Sequence, residues 1–225
     1  MSLLEQLIGT FAPHICVGCG SEDNKLLCKN CTLALPHTPS RCYRCRATTR
    51  DFATCQSCRT RTPLAAVYTC TPYTGHAKEL LSRAKYERAR AGLREIAQII
   101  IDGNPNSVAT DNIIIPVPTA TSRARQRGYD QSTIIAKQLA RAYRAPYAEA
   151  LVRRNQAHQV GANRTARQAH MIDAFRIASA HKIHGRQVVL VDDVLTTGAT
   201  LEAAARILKK AGATRVDAIV FAQPD

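Results

Sequence analysis

A chain of 225 residues with 45% hydrophobic and 21% charged residues has the balance of a globular protein, which excludes general disorder and fibrous or mucin-like repeats. Lys and Arg outnumber Asp and Glu by 31 to 17, a formal charge of +14 that points to phosphate-rich partners without choosing between nucleotide and nucleic acid. No apolar run approaches the roughly 20 residues of a membrane span. The start, Met1-Ser2-Leu3-Leu4-Glu5, lacks the basic residues and small-residue cleavage site of a signal peptide, so a cytoplasmic location is expected.

In chain order, Leu3, Leu4, Leu7, Ile8 and Phe11 recur at helical spacing and predict one short amphipathic helix. Four Cys-x-x-Cys pairs come next within 43 residues: Cys16/Cys19, Cys28/Cys31, Cys42/Cys45 and Cys55/Cys58. Each pair can present two thiolates to one tetrahedral ion from a tight turn, and two pairs complete a four-thiolate zinc site. A thioredoxin-type dithiol would need one pair in a βαβ setting rather than four in a polar segment. Disulfides are disfavoured in a chain with no export signal. The spacing therefore predicts two structural zinc ions, leaving a charge of about +10. Knuckles paired in sequence order make a double zinc ribbon; interleaved pairing stays open. His14 and His37 are bystanders, and Cys70, in an apolar run, is a buried core thiol. With little periodic apolar sequence, the ribbon depends on metal for its fold. Removing the metal is expected to unfold the ribbon and spare the C-terminal sheet.

From about Leu64 the texture changes to alternating strand and helix. Strands are predicted at Leu64–Thr71, Asn112–Pro118, Gln187–Val191 and Arg215–Ala222. Helices are predicted at His76–Ala91, onward to about Ile101, at Gln131–Tyr143, and at Leu201–Ala211 with Gly212 as its stop. This is an α/β pattern, a parallel sheet covered by helices on both faces. Between Arg153 and His170 the pattern lapses into a loop or lid. The expected division is 1–62, short helix plus double zinc ribbon, and 63–225, an α/β domain. Ligands of such sheets bind beyond the carboxyl ends of the strands.

There the chain reads Asp192-Asp193-Val194-Leu195-Thr196-Thr197-Gly198-Ala199-Thr200. A buried strand delivers two carboxylates, and a small hydroxylated loop then opens a helix. Backbone N–H groups of Thr196, Thr197, Gly198, Ala199 and Thr200, with the helix N-terminus behind them, can cage a phosphate dianion. Asp192 and Asp193 can accept hydrogen bonds from ribose hydroxyls. The plainer alternative is a helix capped by Thr197 or Thr200 beside two incidental acids. Walker and dinucleotide-binding loops are absent.

This stretch resembles the phosphoribosyl pyrophosphate (PRPP) signature of type I phosphoribosyltransferases. With the knuckles in front, the whole chain resembles the ComF family, which includes the GntX-like proteins. Tyr73-x-Gly75 with Lys85-Tyr86, Pro116-Val117-Pro118 with Arg127-Gly128-Tyr129-Asp130-Gln131, and Gln159…Arg167…Ala174-Phe175 match its motifs, while Asp130 and His170 stand where the family has Asn. The resemblance implies a phosphoribosyltransferase fold, PRPP with Mg²⁺ as ligand, and a part in DNA uptake and processing during natural competence. Asp192 and Asp193 would then orient the ribose and stabilise its developing charge. Lys85 and Arg127, with Arg123 and Arg125, are candidates for the pyrophosphate.

Two functions are therefore expected. One is a PRPP-binding accessory protein meeting single-stranded DNA and competence proteins. The other is an active salvage transferase passing ribose 5-phosphate from PRPP to a base. Between Ala120 and His170 there are ten Lys/Arg against two Asp/Glu, and Arg41, Arg44, Arg46 and Arg50 give the ribbon a basic face. Aromatics at 5%, with no Trp, are poor material for base stacking.

Overall fold

The computed structural model describes residues 14–86, 89–119, 128–154 and 174–224. The helix expected over Leu3–Phe11 lies outside them. The cysteine-rich segment contains an antiparallel pair, β1 (His14–Ile15) and β2 (Glu22–Asp23), and two short helices, α1 (Lys29–Leu33) and α2 (Gln56–Arg59). After it come β3 (Val67–Pro72), α3 (Gly75–Tyr86), α4 (Ala89–Gly103), β4 (Ile113–Pro116) and α5 (Gln131–Ala142). A small antiparallel pair, β5 (Leu151–Arg153) and β6 (Phe175–Ile177), precedes β7 (Gln187–Val194), α6 (Ala199–Lys210) and β8 (Arg215–Gln223).

The main sheet has four parallel strands in the order β3-β8-β7-β4. Successive residues of a strand point to opposite faces, so each strand feeds two cores. Ile114, Val189, Val191, Ile219 and Phe221 pack with Leu80, Leu93, Ile96, Ile135 and Leu139 of α3, α4 and α5. Ile113, Ile115, Val188, Leu190, Ala218 and Val220 pack on the other face with Leu201, Ala204 and Leu208 of α6 and with Phe175 of β6. Burial on both faces explains the uninterrupted apolar runs of β4 and β7. The expected α/β architecture is the one observed. The pair β5–β6 was not foreseen.

The cysteine-rich segment shares both cores. Cys16, Leu26, Leu27, Cys28 and Leu35 join the core of α3–α5, and Tyr43 joins the core under α6. The first half is pinned by Glu95 of α4, whose Oε1 and Oε2 accept the N–H groups of Leu26 at 2.9 Å and Leu27 at 3.2 Å. Burial pushes the Glu95 carboxyl up, and those two bonds hold it back. Gly92 lets the segment come this close: a Cβ there would meet Leu26 Cδ1 at 2.8 Å. The second half lies along β3. Thr54 N–H donates to Ala65 O at 2.8 Å, the Phe52 and Tyr68 rings stand 5.7 Å apart, and Arg46 Nη2 donates to Pro224 O at 2.8 Å.

Glu95→Ala is expected to leave two N–H groups without their acceptor, at a cost of roughly 1–3 kcal/mol each where water cannot replace it. Limited proteolysis should then cut first within residues 14–35, and an unchanged digestion pattern would show that Glu95 does not hold this segment.

Cys70 is buried as expected. Asn104 Nδ2 donates to its sulfur at 3.1 Å, and burial pushes the thiol up to about 12, which makes it an unreactive core group. Among the described residues, no helix is long and apolar enough to cross a membrane.

Candidate functional site

Because the sheet is parallel, the carboxyl ends of β3, β4 and β7 share one edge, and the motif residues gather there. Tyr73 follows β3, with its N–H donating to Gln223 O at 2.8 Å. Val117 follows β4, donating to Val191 O at 2.9 Å. Asp192 and Asp193 close β7, where Asp192 lies opposite Val220 and Val194 opposite Ala222. Tyr129 Oη donates to Ala84 O at 3.4 Å and brings the start of α5 to the last turn of α3.

Asp192 is part-buried. Its Oδ1 accepts from Ser132 Oγ at 3.0 Å and from Asp193 N–H at 2.9 Å. Burial first, and then the Asp193 charge, push its carboxyl up to about 7; the two hydrogen bonds oppose this. A carboxylate in this condition is ready for donors or a cation to take up its charge.

Asp130 has a local task. It is the N-cap of α5, with Oδ1 accepting from Thr133 N–H at 3.1 Å and Oδ2 from Thr119 N–H at 2.7 Å. It ties the loop after β4 to the helix, and its charge adds a smaller upward push on Asp192. The cap could have been read from Asp standing directly before a predicted helix. Ser132, facing Asp192 from the same helix, carried no such signal.

The loop itself turns on Gly198. Its φ of +78° is left-handed, which only glycine adopts without strain, and it occupies the N-cap position of α6 with no side-chain cap bond. The alternative of a helix capped by Thr197 or Thr200 is therefore not what forms: Thr197 Oγ1 lies 3.4 Å from Ala199 N, a local contact, and Thr196 and Thr197 are exposed. The first-turn N–H groups of α6, with the helix dipole behind them, follow the two carboxylates by a few residues and can donate to an anion.

Lys85 falls in the last turn of α3, and its side chain is outside the described set. Arg123, Arg125, Arg127, Gln159, Arg167 and His170 also lie outside the described residues. Of the ribbon arginines, Arg44 and Arg46 are engaged within the chain. Arg44 Nη1 donates to Glu202 Oε1 at 2.8 Å and to Arg61 O at 3.0 Å, and Arg46 Nη2 is held by Pro224 O.

At the other end of the chain the cysteines form two clusters, Cys16/Cys19/Cys28/Cys31 and Cys42/Cys45/Cys55/Cys58. The knuckles pair in sequence order, and neither cluster includes His14 or His37. Within each, the ligand atoms lie within 4.8 Å of one another, with Cys19 and Cys28 sulfurs 3.8 Å apart and Cys45 and Cys55 3.4 Å apart. A tetrahedral zinc with bonds of about 2.3 Å needs sulfurs about 3.8 Å apart, so the donor set fits the ion. Protonation fits it too. Burial would raise Cys16, yet N–H bonds from Cys28, Cys19 and Gly18 bring it down to about 6, while hydrogen bonding with Cys28 pushes Cys31 up to about 12. In the second cluster the Ser57 hydroxyl lowers Cys55 to about 6, and burial raises Cys58 to about 12. Four thiols this close cannot all ionise unless a cation sits among them.

Comparison with known proteins agrees with this construction. Residues 127–225 match the family described as Phosphoribosyl transferase domain. The chain is 27% identical over 225 residues to Competence protein ComFC of Bacillus subtilis, covering 88% of this chain and 90% of that protein. It is 26% identical over 211 residues to DNA utilization protein YhgH of Escherichia coli K12, covering 90% and 87%. Against Competence protein F of Haemophilus influenzae it is 36% identical over 106 residues, and there the match spans only 46% of each chain. Matches along nearly the whole chain, a phosphoribosyltransferase-type sheet and two four-cysteine clusters ahead of it make this chain similar throughout to these competence and DNA-utilization proteins.

Proposed function

We propose that this chain binds PRPP with Mg²⁺ at Asp192–Thr200 and acts, in the cytoplasm, on single-stranded DNA taken up during natural competence. The observation that carries the PRPP reading is Gly198, left-handed at the head of α6 and directly behind two carboxylates at the end of an interior strand. In this reading Thr196, Thr197, Gly198, Ala199 and Thr200 hold the 5′-phosphate through N–H and hydroxyl donors, while Asp192 and Asp193 accept from the ribose hydroxyls. Lys85 and Arg127 take the pyrophosphate together with Mg²⁺, which would neutralise charge on that group. Residues 1–62 form the metal-bearing module and 63–225 the phosphoribosyltransferase domain, with zinc as the ion of both clusters.

The DNA reading is supported by the net charge of +14 and by relatives named for competence and DNA utilization. Contacts with phosphates release counterions, so affinity for a homopolymeric single strand should fall steeply between 50 and 200 mM salt, by roughly 300-fold if six phosphates are engaged. Since Arg44 and Arg46 are engaged internally, the exposed Arg50 and Arg59 are the residues to reverse. Arg50→Glu with Arg59→Glu should weaken DNA binding and leave PRPP affinity unchanged.

The decisive experiment titrates single-stranded DNA with and without saturating PRPP–Mg²⁺, then assays pyrophosphate release with each free base. DNA binding modulated by PRPP without release supports the accessory role. Base-dependent release identifies a transferase instead. Absence of DNA binding at low salt would remove the DNA part of the proposal.

A further inference from the structure

Tyr43 stands inside a metal knuckle, Cys42-Tyr43-Arg44-Cys45, yet its ring packs against the phosphate loop. A Cβ built on Gly198 would come 2.8 Å from Tyr43 Cε2 and 3.3 Å from Cδ2. The ring is 6% exposed in a cysteine-rich segment that is otherwise largely polar. Its hydroxyl donates to Glu202 Oε1 at 2.7 Å and also meets Thr62 Oγ1. Arg44, the next residue of the knuckle, reaches the same Glu202 oxygen at 2.8 Å. Glu202 sits one turn into α6, with its own N–H donating to Gly198 O at 2.9 Å. Its other oxygen accepts from Arg206 Nη2 at 3.2 Å. Three donors from two distant parts of the chain thus converge on one carboxylate in the first turn of the helix that heads the phosphate loop.

The arrangement does two things. The ring supports the left-handed turn at Gly198 from one side. The phenol and the two guanidinium groups absorb the charge of a carboxylate that would otherwise repel a phosphate about one helical turn away. Both depend on where the knuckle holds Tyr43 and Arg44. A Cys-x-x-Cys turn whose two sulfurs share an ion has little freedom left at the two residues between them, and without the ion that constraint is gone.

We infer that Tyr43 and Arg44 are positioning residues of the phosphate loop, so that occupancy of the second cysteine cluster and binding of a phosphorylated ribose at Asp192–Thr200 strengthen one another. The inference rests on the reading of that loop as the PRPP site. Coupling between two binding sites is reciprocal: if the ion favours PRPP, PRPP favours the ion by the same factor, typically about 5- to 150-fold. The first cluster docks on α4 through Glu95 and makes none of these contacts, so it serves as an internal reference.

The test uses the zinc-loaded full chain. Calorimetry with PRPP–Mg²⁺ should show Tyr43→Ala weakened about tenfold, within that range. Tyr43→Phe, which keeps the ring and loses one donor, should fall between it and wild type. Independently, a chromophoric zinc chelator should remove the two ions from wild type at different rates. PRPP–Mg²⁺ should slow one of them severalfold and leave the other unchanged, and in Tyr43→Ala the selective slowing should disappear. The wild-type release measurement stands even if a variant folds poorly. Release of both ions indifferent to PRPP, or slowed equally, overturns the coupling whatever the variants do. Wild-type protein that binds no PRPP removes the underlying site reading as well.

Discussion

Metal analysis of the purified protein should return two zinc ions per chain, and removing them should lower the stability of the whole chain. A structural zinc contributes about 10–16 kcal/mol of apparent binding free energy, as much as the roughly 5–15 kcal/mol by which an entire domain is stable. From the sequence, unfolding would stop at the ribbon. The structure extends it, because Cys16, Leu26, Leu27 and Leu35 form part of the core over α3–α5 and Tyr43 part of the core under α6. Re-exposing a buried leucine costs roughly 1.5–3 kcal/mol, so freeing Leu26, Leu27 and Leu35 uncovers a face that α4 cannot leave in water without loss. Cys19→Ser and Cys42→Ser should each cost one zinc and lower the thermal midpoint, whereas Cys70→Ser, at a cysteine outside both clusters, should retain both ions. Calorimetric melting before and after chelation measures the effect. One ion, or none, in the wild-type protein would rule out the two-site arrangement, and a midpoint indifferent to chelation would rule out its role in the shared core.

The sequence made legible whatever chemistry repeats locally. Four Cys-x-x-Cys turns announce thiolate sites because ligand spacing within a knuckle is set by a few bonds, but which knuckles share an ion depends on how the chain folds back. The strands β4, β7 and β8 were legible because burial on both faces leaves continuous apolar runs. The three-residue strands β5 and β6 are too short to carry any period. Asp192, Asp193 and Gly198 were legible because strand, acids, turn and helix start succeed one another along the chain. Tyr43, Arg44 and Glu202 were not, since they meet across 158 and 159 positions. Nor was Glu95, whose partners Leu26 and Leu27 lie 69 and 68 positions away. A tyrosine between two metal ligands was the one visible hint, an aromatic where solvent exposure would be the rule. The basic face was legible only as a count of charges, which gives no sign that Arg44 and Arg46 are already engaged by Glu202 and Pro224.

Asp192→Asn should stabilise the ligand-free protein while disabling it toward PRPP. The Asp192 carboxyl is raised to about 7, by burial first and by the Asp193 charge second. In the unfolded chain the same group titrates near 4. Between those values the folded protein holds a proton that the unfolded chain has released, so stability is full below about pH 4, falls as pH rises toward about 7, and stays reduced above it. A displacement of that size corresponds to at most about 4 kcal/mol, and solvent screening at a part-exposed group brings it nearer to ~2 kcal/mol. Asparagine keeps an oxygen for Ser132 Oγ and Asp193 N–H and carries no charge to repel Asp193. At pH 8 the variant should therefore melt several degrees above wild type, and at pH 4 the two should coincide. With PRPP–Mg²⁺ present the order should reverse. A hydrogen bond from a ribose hydroxyl to a carboxylate contributes about 1.5–3 kcal/mol where one to a neutral amide contributes about half, and PRPP affinity should drop roughly tenfold. Thermal melts of both proteins at the two pH values, each with and without ligand, read all of this in one series. Equal midpoints at pH 8 would mean that Asp192 carries no stored repulsion. A variant protected by PRPP as well as wild type would mean that the ribose is held elsewhere.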